Sequence, residues 1–438
     1  MVKKNGLMRI LLIFLLLSAQ GFAQTTFKNV QLQAPSLMSV IYGQSEPSIA
    51  IDPTNTNNIA AGCIISDYYY SKDGGSTWTS KKISSKYGVW GDPVLLFDTT
   101  GKLYYFHLAN YKKTSWIDRI VCQSTAKVEG KFNEGTFPKP NGTKAQDKHW
   151  TVLNPMTNEI YMTWTQFDKY DSQDPKDSSI IVFSKSSDQG KTWSDPLRIS
   201  KYAGDCVDSD NTVEGAVPAV GPNGEIYVTW SGPKGLVMQV SKDGGKKWLP
   251  AEQFVDVQIE GWDLDIPGMN RANGLPILVS DLSNGPNRGT LYLNWCDQRN
   301  GKKDTDSWLS VSKDGGKSWS KAIKVNQDSS QRHQFFTWMT IDQSNGNLYF
   351  VYYDRRNHAD NATDVYLTRS ADGGQTFQDV RISDKPFVPV AEKFFGDYLN
   401  ISAVDGVIRP IYPRMDDGKI SLWVTLVHEK DLIKLIDR

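Results

Sequence analysis

Short stretches in which apolar and polar residues alternate recur along nearly the whole chain, each introduced by a Gly or Asn turn. Gly101-Lys102-Leu103-Tyr104, Asn158-Glu159-Ile160-Tyr161, Gly224-Glu225-Ile226-Tyr227, Gly289-Thr290-Leu291-Tyr292 and Gly346-Asn347-Leu348-Tyr349 open five of them. Most run on to an aromatic residue: Trp164, Trp230, Trp295 or Tyr353. A period of two beside turn residues predicts β-strands. Weaker versions at Ile59–Ile65 and Val407–Tyr412 raise the count to seven units.

A second repeat falls in step with the first. Ser-x-Asp-x-Gly-x-x-Trp/Phe occurs at Ser71–Trp78, Ser186–Trp193, Ser241–Trp248, Ser312–Trp319 and Ser370–Phe377. Its Asp can accept hydrogen bonds from the amides of its own turn, its Gly supplies a positive φ, and its aromatic residue plugs the space beneath. These boxes are folding devices and carry no catalytic role. The later aspartates follow one another at about one propeller-blade length, and Asp73 to Asp188 is about twice that. One unit in between has therefore lost its box, and Ser124–Phe132 resembles the remnant.

Each unit reads as four strands, the last exemplified by Leu197-Arg198-Ile199-Ser200 and Asp379-Val380-Arg381-Ile382-Ser383. The seventh unit, Phe395 to Val427, supplies only three, and Phe27–Leu32 supplies the fourth. Pairing the two ends of the chain would close a ring with no large open edge. The prediction is an all-β fold: one β-propeller over residues 24–428, seven-bladed, with four-stranded antiparallel blades closed by the N-terminal strand. Six blades with one divergent unit is the competing count. Residues 429–438 form a short charged tail, helical or frayed.

Residues 1–23 fall outside this pattern. Lys3, Lys4 and Arg9 precede the apolar run Ile10–Leu17 and the small residues Gly21 and Ala23, which together suggest a cleaved signal peptide. The run is too short to span a membrane. The protein is expected to be exported: secreted, periplasmic or at the cell surface.

Charge narrows the partners. Lys plus Arg and Asp plus Glu each number 49, which argues against nucleic acid as the main ligand. Cys63, Cys122, Cys206 and Cys296 show no metal-ligand spacing, leaving two disulfides or four buried thiols open. No HExxH pattern suggests catalytic zinc, and no cofactor is required.

Antiparallel connections place the starts of first strands and the ends of second strands around one mouth of the central channel. The starts carry Glu46, Asp92, His149, Glu214, Asn273, His333 and Asp397-Tyr398. The ends carry Asn110, Asp168, Trp230, Asp297 with Arg299, Asp354 with Arg355 and Arg356, and Arg414 with Asp416. Such a ring suits a glycan, and paired carboxylates or Tyr with a carboxylate suit acid/base work at a glycosidic bond. The near-copies Asp297-Gln298-Arg299-Asn300 and Asp354-Arg355-Arg356-Asn357 read first as repeated structural pairs. Residues that break the repeat are stronger candidates: Glu214, Arg271, Tyr398 and Arg414. The loop carrying Asp205, Asp208 and Asp210 reads as a solvated acidic loop or as a structural calcium site.

With five boxes over nearly the whole mature chain, the sequence resembles the Asp-box (BNR-repeat) proteins of the sialidase superfamily. That resemblance implies a carbohydrate or glycoconjugate substrate and glycoside hydrolase chemistry. By position it makes Tyr398 the nucleophile, Glu214 its partner, and Asp92 or Asp397 the acid. Arg271, Arg355, Arg356, Arg414, Trp230 and His149 would hold the sugar. The chain departs from the family's arginine triad. Ser45-Glu46-Pro47-Ser48 stands in the first arginine's place, Trp230-Ser231 in the second's, and no arginine lies between the signal segment and Arg119. Two alternatives stand beside hydrolysis. One is a non-catalytic propeller that binds a glycan or protein. The other is a polysaccharide lyase in which Tyr398 or His149 takes a proton beside a uronate carboxylate.

Overall fold

The computed structural model describes residues 27–110 and 116–436. The expected signal peptide, 1–23, lies outside them. The alternating stretches form seven antiparallel sheets, and the first strand of each sheet packs against the first strands of its two neighbours. These inner strands are Ser48–Ile51, Gly91–Phe97, Ala145–Leu153, Glu214–Val220, Ile277–Ser280, Gln334–Asp342 and Asn400–Val404. Because the last also contacts the first, the ring is closed. The fold is a seven-bladed β-propeller, and the six-bladed count falls.

Six blades have four strands and the second has three. The short blade is the one whose box has decayed. Its third strand, Arg119–Thr125, is followed by a single bridge from Cys122 to Thr136 where a fourth strand would lie. The remnant still packs: Val128 is buried, and Phe132 meets Tyr68 and Tyr105 edge-on at 5.1 and 5.9 Å. Aromatic burial survives there without the turn chemistry. In blade 7 the N-terminal strand Lys28–Leu32 pairs with Lys419–His428, from Lys28 opposite Leu426 to Leu32 opposite Leu422. The charged tail begins as a helix, Glu429–Ile436, anchored where Glu429 accepts hydrogen bonds from Asn347, Tyr349 and Arg369.

The intact boxes share one geometry. In the first, Ser71 Oγ donates to Asp73 and accepts from the Gly75 amide at 2.8 Å. Asp73 accepts from the Thr77 amide and hydroxyl at 2.9 and 2.7 Å, and the Trp78 indole donates to the Gly75 carbonyl. In the fourth, the hydroxyl and amide of Ser318 pull the Asp314 carboxyl down to about 2. A carboxylate fed by donors from its own turn is stabilised in its charged form. All four cysteines are free and buried, so the disulfide alternative falls.

The opposite ends of the inner strands are less regular. In blades 2, 3, 4 and 6 the first strand carries a bulge at the same place, two residues opposing one on the second strand. The leading bulge residues are Asp92, Lys148, Gly215 and Phe336, all at positive φ (50°, 46°, 72° and 53°). Only one is glycine. Such a bulge re-aims side chains, and holding a bulky residue there costs energy that the surrounding structure must supply.

Candidate functional site

All four bulge leaders line one recess at the channel mouth, together with His149, Trp150, Asn273, Trp338, Asp397 and Tyr398. Trp150 and Trp338 pack with ring centroids 4.4 Å apart and also line the channel below, so this pair forms the floor of the recess. The Tyr398 ring leans on both, at 6.2 and 5.7 Å.

At its centre is an ion-pair hub. Asp397 is buried and accepts from Lys148 Nζ and from both Nε and Nη2 of Arg271, with the Arg271 Nε bond at 2.6 Å. Burial alone would push its carboxyl up, but the two cations outweigh it and hold Asp397 far below the usual carboxylate range. Lys148 Nζ also lies 3.9 Å from Glu46 and 3.9 Å from Asp92. Glu46 and Asp92 are buried and line one cleft. Burial, then the Asp92 charge, raises the Glu46 pKa; burial also raises that of Asp92. Each carboxyl therefore holds its proton to a higher pH than an ordinary carboxyl does. They are also the charges that bear most on the Tyr398 hydroxyl, whose pKa is raised by burial and then by Asp92 and Glu46.

A second recess adjoins the first, lined by Asp208, Glu214, Trp262, Asp263 and Arg271. Glu214 is buried with neither carboxyl oxygen hydrogen-bonded, and burial followed by Asp208 raises its pKa. Asp208 accepts from Tyr170 Oη at 2.8 Å and Arg271 at 3.2 Å. Burial pushes the nearby Asp147 up to about 7. On the outer side, Trp90, Trp116 and Phe394 expose their rings around a cleft that reaches Glu46, Asp92, Lys148 and Arg271. Phe394 also covers one face of the Arg271 guanidinium, 5.1 Å away.

The structure thus brings Tyr398, Asp92, Asp397, Arg271 and His149 to one mouth, with Glu214 in the adjoining recess. Asp92 shares the recess with Tyr398, and Asp208 shares the adjoining one with Glu214. His149 lines the recess as a neutral ring: burial holds its pKa down at about 3, and neither nitrogen has a hydrogen-bond partner. Four expected sugar-binding residues belong to the scaffold instead. Arg355 is buried, bonded to Thr363 and the Pro267 carbonyl. Arg356 bridges Asp354 and Asp379, repeating the Arg299–Asp297 pair as the near-copy sequences suggest. Arg414 pairs with Asp384 and Asp416 and stacks 3.6 Å over Trp423. Trp230 is 1 % exposed and fills a blade core.

The acidic loop spends its carboxylates separately. Asp205 accepts from Thr212, Asp208 from Tyr170 and Arg271, and Asp210 from the amides of Trp262 and Asp263. Among the described residues, no group of three or more His, Cys, Asp or Glu side chains is placed to hold a metal ion. Nor is any helix among them long and apolar enough to cross a membrane.

Sequence reasoning missed Lys148, which lies one residue before the singled-out His149. The bulge turns it into the mouth, and nothing in the local sequence announces a bulge without glycine. Trp150 and Trp338 were hidden among many tryptophans, and Glu46 was placed in the ring without being singled out.

The pattern of the BNR repeat-like domain matches residues 172–395, just over half of the chain. No curated protein matches it. Among solved structures, it is similar to an ulvan lyase of polysaccharide lyase family PL25, solved bound to -[GlcA(1-4)Rha3S]-, at 13% identity and a TM-score of 0.52, covering 90% of this chain and 97% of that one. It is also similar to a Hadza microbial sialidase, Hz136, at 13% identity and a TM-score of 0.47, covering 87% and 75%. For a Trypanosoma rangeli sialidase the values are 14%, 0.46, 83% and 58%.

Proposed function

The chain belongs to the BNR repeat-like domain family, and on that premise we propose that it is an exported propeller that acts on carbohydrate as a glycoside hydrolase, with Tyr398 at its centre. The observation that carries this reading is the pair of buried carboxyls, Glu46 and Asp92, each 3.9 Å from Lys148 Nζ, with Asp92 lining the same recess as Tyr398. One protonated and one ionised carboxyl beside a nucleophile are the parts that glycosidic cleavage uses. The protonated carboxyl gives its proton to the leaving glycosidic oxygen. Tyr398 Oη attacks the anomeric carbon while its own proton passes to the ionised partner. Water then attacks the same carbon, releases the sugar and returns the phenol. Lys148, anchored by Asp397, sets the charge balance of the pair. The exposed rings of Trp90, Trp116 and Phe394 suit stacking on sugar faces, as aromatic residues rimming a concave site do. The basic and apolar pattern of residues 3–23 supports export.

The test is a product assay on a broad glycan panel with wild type, Asp92→Asn and Glu214→Gln. New reducing ends without ultraviolet-absorbing unsaturated ends are expected. Asp92→Asn should lose about a hundredfold or more in rate, as removal of a general acid or base does, and Glu214→Gln should lose much less. Unsaturated products would replace the hydrolase with a lyase. The absence of any product would leave a binding propeller.

A further inference from the structure

The two cations at the mouth are already satisfied by the protein's own carboxylate. Arg271 presents Nε and Nη2 to the two oxygens of Asp397 in a side-on fork, and Lys148 Nζ meets the same carboxylate. This is the geometry in which guanidinium recognises a carboxylate on a ligand. Asp397 is held in place from behind: its backbone carbonyl accepts from Asn273 Nδ2 at 2.9 Å, and it follows Gly396, whose φ of 89° sets the turn. Asp397 is 3 % exposed along its side chain, whereas Arg271 is 39 % exposed and stands at the rim of the cleft. The rest of the mouth adds acidic groups, not basic ones: Glu46, Asp92, Asp147, Asp208, Glu214 and Asp263 surround Lys148 and Arg271.

We propose that Asp397 is a specificity-determining residue, an internal carboxylate that occupies the Arg271–Lys148 fork and so restricts the site to sugars without a carboxylate, neutral or amino sugars in place of uronates and sialates. An incoming sugar acid would have to displace a buried carboxylate bonded by two cations, and would enter a recess crowded with acidic side chains. A neutral sugar offers hydroxyl donors to those same acids. This inference rests on the mouth being the glycan site.

The experiment is equilibrium titration of glucuronate and N-acetylneuraminate into the wild type, Asp397→Asn and the double variant Asp397→Asn/Arg271→Gln, after thermal denaturation has confirmed folding. Wild type is expected to bind either acid only weakly, short of saturation over the titrated range, which sets a lower limit on its Kd. Asp397→Asn should bind at least one roughly tenfold more tightly, the scale of one charged hydrogen bond, and the double variant should lose that gain. Saturable binding of either acid to the wild type as tight as to Asp397→Asn would overturn the proposal, as would a folded Asp397→Asn without gain. Should neither variant fold, the wild-type titration decides alone: saturable binding of an acid overturns the proposal, and its absence supports it. No turnover is needed, so failure here is distinguishable from failure of the hydrolase reading. A neutral glycan cleaved by a protein that also binds sugar acids would defeat this inference only.

Discussion

The box turns and the channel mouth both depend on aspartate, and they use it in opposite ways. In a box the carboxylate lies near solvent and takes all its donors from within four residues, as Asp73 does from Ser71 and Thr77. At the mouth, Asp397 is buried and draws its donors from Lys148 and Arg271, 249 and 126 positions away. Box carboxyls have lowered pKa values; Glu46, Asp92, Asp147 and Glu214 have raised ones. Apart from Gln189 in the second, the boxes take their positive φ from glycine, whereas the mouth forces Glu46, Asp92, Lys148 and Phe336 into that region. A device that builds a fold is cheap, local and repeated. A site is costly, long-range and made once.

The largest effect that would sharpen this contrast comes from Lys148. Lys148→Met strips the buried Asp397 of one cation and leaves Glu46 and Asp92 unbalanced. A loss of about 3–5 kcal/mol in unfolding free energy is expected, the cost of breaking a buried ion pair from one side, measured by denaturant titration. A loss below about 1 kcal/mol, the range of an exposed pair, would mean that the hub is no more demanding than a surface pair.

Next in size is a pH dependence of opposite sign at Asp147 of the mouth and at the box aspartates. The folded pKa of Asp147, about 7, lies above its unfolded value near 3.9, so the folded state binds the extra proton between these values. Its contribution is fully present below about pH 4 and is lost as pH rises toward 7, with a slope of up to about 1.4 kcal/mol per pH unit. Asp147→Asn should remove that slope. The box aspartates behave in reverse: the contribution of Asp314 is present above about pH 4 and is lost as pH falls toward its folded value of about 2. Stability curves of the wild type and the two single variants would show whether the windows separate.

The smallest effect belongs to a single box. Asp372 accepts from Ser370, Gln375 and Thr376, and Asp372→Ala should cost only about 1 kcal/mol, the scale of a lost local cap. A cost matching that of Lys148→Met would erase the contrast.

The same difference explains what was legible in the sequence. Seven blades could be counted because each unit writes a turn and strand pattern, and five of them a box, within a few dozen residues, and closure by Lys28–Leu32 followed from one missing strand. The three-stranded second blade was foreshadowed by its decayed box. The Asp297–Arg299 and Asp354–Arg356 pairs were readable as structural because they repeat. At the mouth, strand order placed Tyr398, Asp92, Asp397 and Glu214 at one end of the channel, where the structure has them. It could not say that Tyr398 would share its recess with Asp92 while Glu214 lay in the adjoining one with Asp208. That outcome depends on bulges at non-glycine residues, which leave no local mark. Nor does the sequence give the partners of the other arginines: Arg355 bonds to Thr363 and Arg414 pairs with Asp384.

The most direct measurement compares the rates of Tyr398→Phe and Asp372→Ala on whichever glycan the wild type cleaves, at a temperature where both variants are folded. If chemistry resides at the mouth and the boxes only build the ring, Tyr398→Phe loses about a hundredfold or more while Asp372→Ala keeps a rate close to the wild type's. Full activity in Tyr398→Phe, or an equal loss in both variants, would contradict the division of labour between the two faces.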